Sequence, residues 1–335
     1  MTNSSRAPAI YLALALLAAA ASGHPGAAMA ATGSGEAQEW LRQMSQAAQE
    51  LTYRGTFVYL HDGRLEAVRI IHRAAEGDEQ ERMIALTGEA REVIRDNERV
   101  TCILPKSKAV MIGRSIPRKP FPTALPRDLD TLSDSYEFLA MGEDRVSGLP
   151  SRIVLIRPRD EFRYGYRLWL DQANNLLLKS DLIDAEGRAI EQMMFTDMEV
   201  LDEVPAEDLE PALEGEGYTV IGHADQPANA DSDGAIDSDW AVADLPAGFV
   251  LTHHNRHAMP SAENEVEHLV LSDGLATVSV YIEPHHPERL GLSGLSSMGA
   301  VHALGVHRGD YQITVVGEVP RLTVERIEQS VQHKP

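Results

Sequence analysis

Cysteine, aromatic residues and positive charge are all scarce in this chain. A single cysteine, Cys102, leaves no internal disulfide to form. Lys and Arg total 30 against 51 Asp and Glu, a formal charge of -21, which excludes the basic footprint of a nucleic-acid binder. Apolar runs of membrane-spanning length are missing, since the one sustained run, Ile10–Ala21, falls short of the roughly 20 residues a spanning helix needs. No glycine-rich phosphate loop occurs, and Gly291-Leu292-Ser293-Gly294 lacks the spacing of a nucleophile elbow. These absences argue against an enzyme, and no cofactor is implied.

What is present begins with a leader. Arg6, the apolar run and the small-x-small end Ala28-Met29-Ala30 read as a signal peptide over residues 1–30, so the expected mature chain starts near Ala31 in the periplasm. The roughly 300 residues that follow suffice for two domains. Their acidity is uneven, because Glu199–Asp244 holds fourteen acidic residues and no Lys or Arg.

The strongest strand signal is Leu51–Leu60, LTYRGTFVYL, preceded by helical spacing over Glu36–Leu51. Alternation puts Tyr53, Gly55, Phe57 and Tyr59 on one face and Arg54, Thr56, Val58 and Leu60 on the other. Both faces carry apolar groups, so the strand is expected to be covered on both sides. Turn signals at Asp62-Gly63, Thr87-Gly88, Asp96-Asn97, Ser147-Gly148, Asp171–Asn175 and Asp184–Gly187 separate further strands up to Leu201, an antiparallel meander long enough to curl. The polar, small-residue stretch 223–239 reads as an acidic linker between a first domain, 31–222, and a second, 240–335. The second is expected to be a small sheet of Gly248–Thr252, Val266–Ser272, Ala276–Glu283 and Tyr311–Gly317, with a final helix capped by Thr323. The predicted class is α+β, mainly β.

Gly113–Arg127 interrupts the meander with four prolines and with Arg114, Arg118, Lys119 and Arg127, a basic zone that continues through Arg145, Arg152, Arg157, Arg159, Arg163 and Arg167. Its arginines suit phosphates or carboxylates, or they pair locally with neighbours such as Asp144 and Asp160. His253, His254 and His257 are placed on a loop and lack the partners of a zinc site. Asn229, Asp231, Asp233 and Gly234 mimic a calcium loop, but Trp240 stands where its bidentate Glu belongs, so a solvated linker is the reading and no metal is assigned. Cys102 in a strand reads as a small apolar residue, and Met193, Met194, Phe195 and Met198 as core or as cavity lining.

Several words of the sequence, in order, resemble the RseB/MucB family of regulators. They are Gly55–Tyr59, Arg145-Val146, Asp160–Asp171 (DEFRYGYRLWLD), Leu176–Ser180, Ser272–Ala276 (SDGLA), Val278–Pro284 and Val316–Pro320. The resemblance implies a large, strongly curved antiparallel half-barrel with helices in its concavity, similar to LolA/LolB lipoprotein carriers, plus a small sheet domain with a C-terminal helix. It also implies a periplasmic protein that grips the periplasmic domain of a transmembrane anti-sigma factor, shields it from regulated proteolysis and so silences the envelope-stress sigma factor. An amphiphile such as lipopolysaccharide or a lipid fragment is the implied release signal. The competing reading is a periplasmic lipid or lipoprotein carrier; homo-oligomer formation is left open.

For the amphiphile the expected contacts are Phe57, Tyr59, Trp169, Met194 and Phe195, with Arg114, Arg118 and Lys119 at the rim. For the protein partner they are Tyr281 and the histidine-rich segment at Arg256.

Overall fold

A computed structural model describes residues 34–75, 77–97, 99–114, 125, 129–213, 217–221, 239–258, 265–285 and 291–334. Helix α1 (Ser34–Glu50) leads into β1 (Tyr53–His61), β2 (Arg64–Ala75), β3 (Asp78–Ala85), β4 (Glu92–Asp96), β5 (Arg99–Leu104) and β6 (Ala109–Arg114). After a buried 3-10 turn at Leu129–Leu132 come β7 (Tyr136–Val146), β8 (Leu149–Pro158), β9 (Gly165–Asp171), β10 (Leu177–Ile183), β11 (Ala189–Val200), the short α2 (Ala206–Leu209) and β12 (Thr219–Ile221). These strands make one sheet in the order β12-β6-β5-β4-β3-β2-β1-β11-β10-β9-β8-β7, antiparallel except where β12 joins β6. Left-handed residues suit the expected turns, with Asp62 at φ 47° and Gly63 at φ 69° closing the first hairpin.

The sheet curls strongly. Ser147, at the tip of the β7–β8 hairpin, donates its hydroxyl to the Phe195 carbonyl on β11, four places away in strand order. Helix α1 fills the hollow so formed, laying Ala37, Leu41, Met44 and Ala47 on Phe57, Ile70, Tyr136, Phe138, Leu168 and Phe195. The helix faces this way because its apolar residues recur every three or four positions. Helix α2 departs from expectation, since Leu209 and Val204 pack on Ile71, which points to the other face. Strand β1 departs as well. Tyr53 and Phe57 are buried beneath α1, whereas Arg54 pairs with Glu199 in solvent and Leu60 is 38% exposed. Its second face is therefore open to solvent.

The second domain contains β13 (Trp240–Val242), β14 (Val250–Ala258), β15 (Glu265–Ser272), β16 (Thr277–Pro284), β17 (Gly294–Met298), β18 (Val301–Arg308), β19 (Tyr311–Glu318), α3 (Arg321–Ser330) and β20 (Val331–His333). Its main sheet runs β14-β15-β16-β19-β18-β17, and β13 pairs with β20 beside it. Val324, Ile327 and Val331 pack against the core face of that sheet, as the periodicity requires. Three sequence expectations are corrected. His253, His254 and His257 lie in strand β14 and not on a loop. Pro320, not Thr323, stands at the start of α3, while Thr323 is buried inside it. Strands β17 and β18 were not expected, since β17 is exposed at every position and offers no apolar alternation to read.

Candidate functional site

Two features of the first domain bear on binding: the face beneath α1 and the seam with the second domain. Beneath α1 the hollow is packed. Phe57 and Phe195 meet edge to face at 5.6 Å between ring centroids and are each 2% exposed, so they form core and not an open wall. Between α1 and the segment at Leu125 and Leu129 there remains a shallow cleft of about 190 Å³, lined also by Leu41, Arg42 and Gln46.

Beyond α1 the same face continues as an apolar row at one register. Ile70 stands opposite Met83, Met83 opposite Val93, Val93 opposite Cys102, Cys102 opposite Met111, and Met111 opposite Ile221. Cover falls away along the row, from Ile70 at 0% exposure to Met111 at 47% and Ile221 at 45%. Burial pushes the Cys102 thiol pKa up. Sequence reasoning missed this row because each strand contributes a single residue to it. The cross-strand register, which no local pattern reveals, brings them together.

The expected contacts do not form one surface. Phe57, Tyr59 and Phe195 share the α1 face, whereas Trp169 and Met194 point to the opposite face with Lys179 between them in the ladder. Trp169 is buried, donates its indole N–H to Asp144 at 2.9 Å and carries the Lys179 ammonium 3.8 Å over its ring. Together with the Arg145 backbone N–H, that indole bond holds the Asp144 carboxyl below its ordinary pKa, the backbone bond contributing more. Arg114 ends β6, and Arg118 and Lys119 lie outside the described residues. The calcium-like motif at Asn229–Asp237 lies outside them too.

The basic zone disperses. Arg157 pairs with Glu137, and Arg152 donates to Asn175 at 3.1 Å while lying over Trp40. Arg163 goes inside, as one of the largest fully buried side chains. It is the centre of the seam, where Nη1 donates to Asp273 Oδ2 at 2.6 Å between side chains that are both 0% exposed. Tyr136 donates its hydroxyl to the same oxygen at 2.9 Å, and the Arg163 guanidinium lies over the Tyr136 and Phe249 rings. Burial and then the Asp273 charge push the Tyr136 pKa well up.

Further contacts cross the seam, among them the Arg163 guanidinium donating to the Ala247 carbonyl. Thr323 donates its hydroxyl to the Phe162 carbonyl at 2.6 Å, the Ala300 N–H reaches Glu191 at 3.1 Å, and Leu275 packs against the first core. Gly248, at φ +84°, lies so close that a Cβ there would stand 2.4 Å from Ser135 Oγ. The two domains therefore meet in a docked seam. On the second domain, Tyr281 stacks on His268 at 4.3 Å, while Arg256 pairs with Glu267 on the opposite face of the sheet, so the two expected partner contacts are not neighbours.

Comparison with known proteins follows this two-part division. Residues 36–213 match the MucB/RseB N-terminal domain and residues 235–332 the MucB/RseB C-terminal domain. The sigma factor AlgU regulatory protein MucB of Pseudomonas aeruginosa is 34% identical over 310 residues, covering 91% of this chain and 93% of that one. The sigma-E factor regulatory protein RseB of Escherichia coli K12 is 23% identical over 297 residues, covering 87% and 89%. Among solved structures, the complex of Pseudomonas aeruginosa MucA and MucB aligns with TM-score 0.70 and 29% identity, over 90% of this chain and 99% of that one. A crystal structure of MucB aligns with TM-score 0.61 and 28% identity over the same shares. With both of its domains matched, the chain belongs to the MucB/RseB family of sigma-factor regulatory proteins.

Proposed function

We propose that this chain is a periplasmic regulator that binds the periplasmic region of a transmembrane anti-sigma factor, shields it from regulated proteolysis and so keeps an envelope-stress sigma factor inactive. The observation that carries this reading is its likeness, through both domains, to a MucB solved in complex with MucA. Among the described residues the exposed features are apolar surface and sheet edges, which suit holding a chain or a lipid.

The release signal in this proposal is an amphiphile, a lipid fragment or lipopolysaccharide. Its acyl chains lie along Met83, Val93, Cys102, Met111 and Ile221, where apolar area left in water is worth about 25 cal/mol per Å² when covered. If amphiphile and anti-sigma segment oppose each other, each must weaken the other's affinity by the same factor.

Cys102 supplies the test. As the chain's single thiol, it reports occupancy of the row without any engineered label. Lipid A fragment added to the mature protein is expected to slow alkylation of Cys102 and to lower affinity for the anti-sigma segment. Unchanged alkylation at saturating lipid would remove the row as the binding surface.

A further inference from the structure

Three charged groups that close the seam, Arg163, Asp273 and Glu191, each keep a partner within their own domain. Arg163 reaches across to Asp273, but Nε and Nη2 also hold Asp160, both at 3.0 Å, three residues earlier in the chain. Asp273 reaches back to Arg163 and Tyr136, but its other oxygen accepts the Leu275 and Ala276 N–H groups at 2.9 and 2.7 Å. Glu191 accepts the Ala300 N–H across the seam and the Tyr59 hydroxyl within its own domain.

A buried charge stripped of its partner is costly, which is why breaking an ordinary buried ion pair penalises the structure that remains. Here separation strips neither charge. Arg163 falls back on Asp160, which is already partly open to solvent, and Asp273 stays in its own turn. Two carboxylates, one from each domain, thus share one guanidinium through different nitrogens. An apolar seam would have no such second state.

We propose that Arg163 is a two-position latch: shared with Asp273 it fixes the second domain on the first, and held by Asp160 alone it lets the domains part while both stay folded. Asp160 sets the strength of the latch by drawing Arg163 back and by repelling Asp273. The two aspartates therefore act with opposite sign, whereas members of a passive cluster would act alike.

The test is the mature chain in small-angle scattering across a urea series that stops short of unfolding either domain, with circular dichroism recorded in parallel. Asp273→Asn should shift the closed-to-open ratio roughly a hundredfold toward open, so that the radius rises at lower urea while secondary structure is kept. Asp160→Asn should move the rise to higher urea than in the unaltered protein. If Asp273→Asn fails to fold, Gly248→Ala serves in its place, because it presses the seam apart at Ser135 and brings a Cβ to 3.4 Å from Arg163 Nη1 while leaving both charges present. Both aspartate variants shifting the same way, or neither shifting, would overturn the latch. Scattering needs no partner, so this outcome is independent of anti-sigma binding.

Discussion

Replacing Phe57 by Ala separates a core residue from a ligand contact. The ring is buried beneath α1, edge to face with Phe195 and among Leu41, Met44, Ile70 and Met193, a surrounding too crowded to collapse into the space left. A large-to-small change of this kind costs about 3–5 kcal/mol. For a domain of this size each kcal/mol moves the melting midpoint by roughly 2–4 °C, so a fall of about 6–20 °C is expected. The Phe195→Ala variant should cost a similar amount, and the double variant should fall short of the sum by about 0.5–1.5 kcal/mol, the worth of the edge-to-face contact. Calorimetry or urea unfolding of the mature protein measures all three. A loss below about 1 kcal/mol together with abolished amphiphile binding would show that Phe57 lines an open trough, and the reasoning about the packed hollow would fail.

Other outcomes follow from particular contacts. Gly55→Ala would set a Cβ 2.5 Å from the Asp197 carbonyl and 3.1 Å from the Phe195 ring, so a loss of about 1–3 kcal/mol is expected in the same unfolding assay. Met111→Asp should leave the unfolding free energy within about 0.5 kcal/mol of the original, because the side chain is exposed, yet reduce lipid A fragment binding measured by calorimetric titration. Alkaline pH should weaken the fold: the pKa values of the Cys102 thiol and the Tyr136 hydroxyl are raised in the folded state, so their stabilising contribution is whole below their ordinary values near 9.0 and 10.0 and is lost as pH rises through the folded ones. Urea midpoints recorded from pH 8 upward should therefore decline, and a midpoint that climbed with pH would contradict the burial assigned to both groups.

Much of the fold could be read from local pattern. Helix α1 and the strands up to Val200 repeat apolar residues with the periods of their structures, and Asp62-Gly63 or Ser147-Gly148 tie neighbours by turn chemistry alone. Where pattern failed, a distant partner decided. Thr323 looks like a cap by its place before an apolar stripe, yet its hydroxyl is taken by Phe162 from the other domain. Arg163 reads as one more member of a basic zone, because nothing in its neighbourhood announces that Asp273, more than a hundred residues on, will pair with it in the interior. Both lie in words that carried the family resemblance, DEFRYGYRLWLD and SDGLA, so resemblance marked the places that periodicity could not explain. The expected amphiphile contacts in the strands are aromatic and methionine residues. Such residues are the first to be buried, and the curl of the sheet, set by long-range register, placed them on two faces.

The most direct measurement is calorimetric titration of the mature protein with the periplasmic segment of a transmembrane anti-sigma factor from the same cell, repeated with lipid A fragment present. The account predicts a defined complex whose affinity falls when the fragment is bound, with fragment affinity falling by the same factor when the segment is bound. A protein that takes up the fragment but gives no heat and no complex with the segment would contradict the account and leave a lipid carrier in its place.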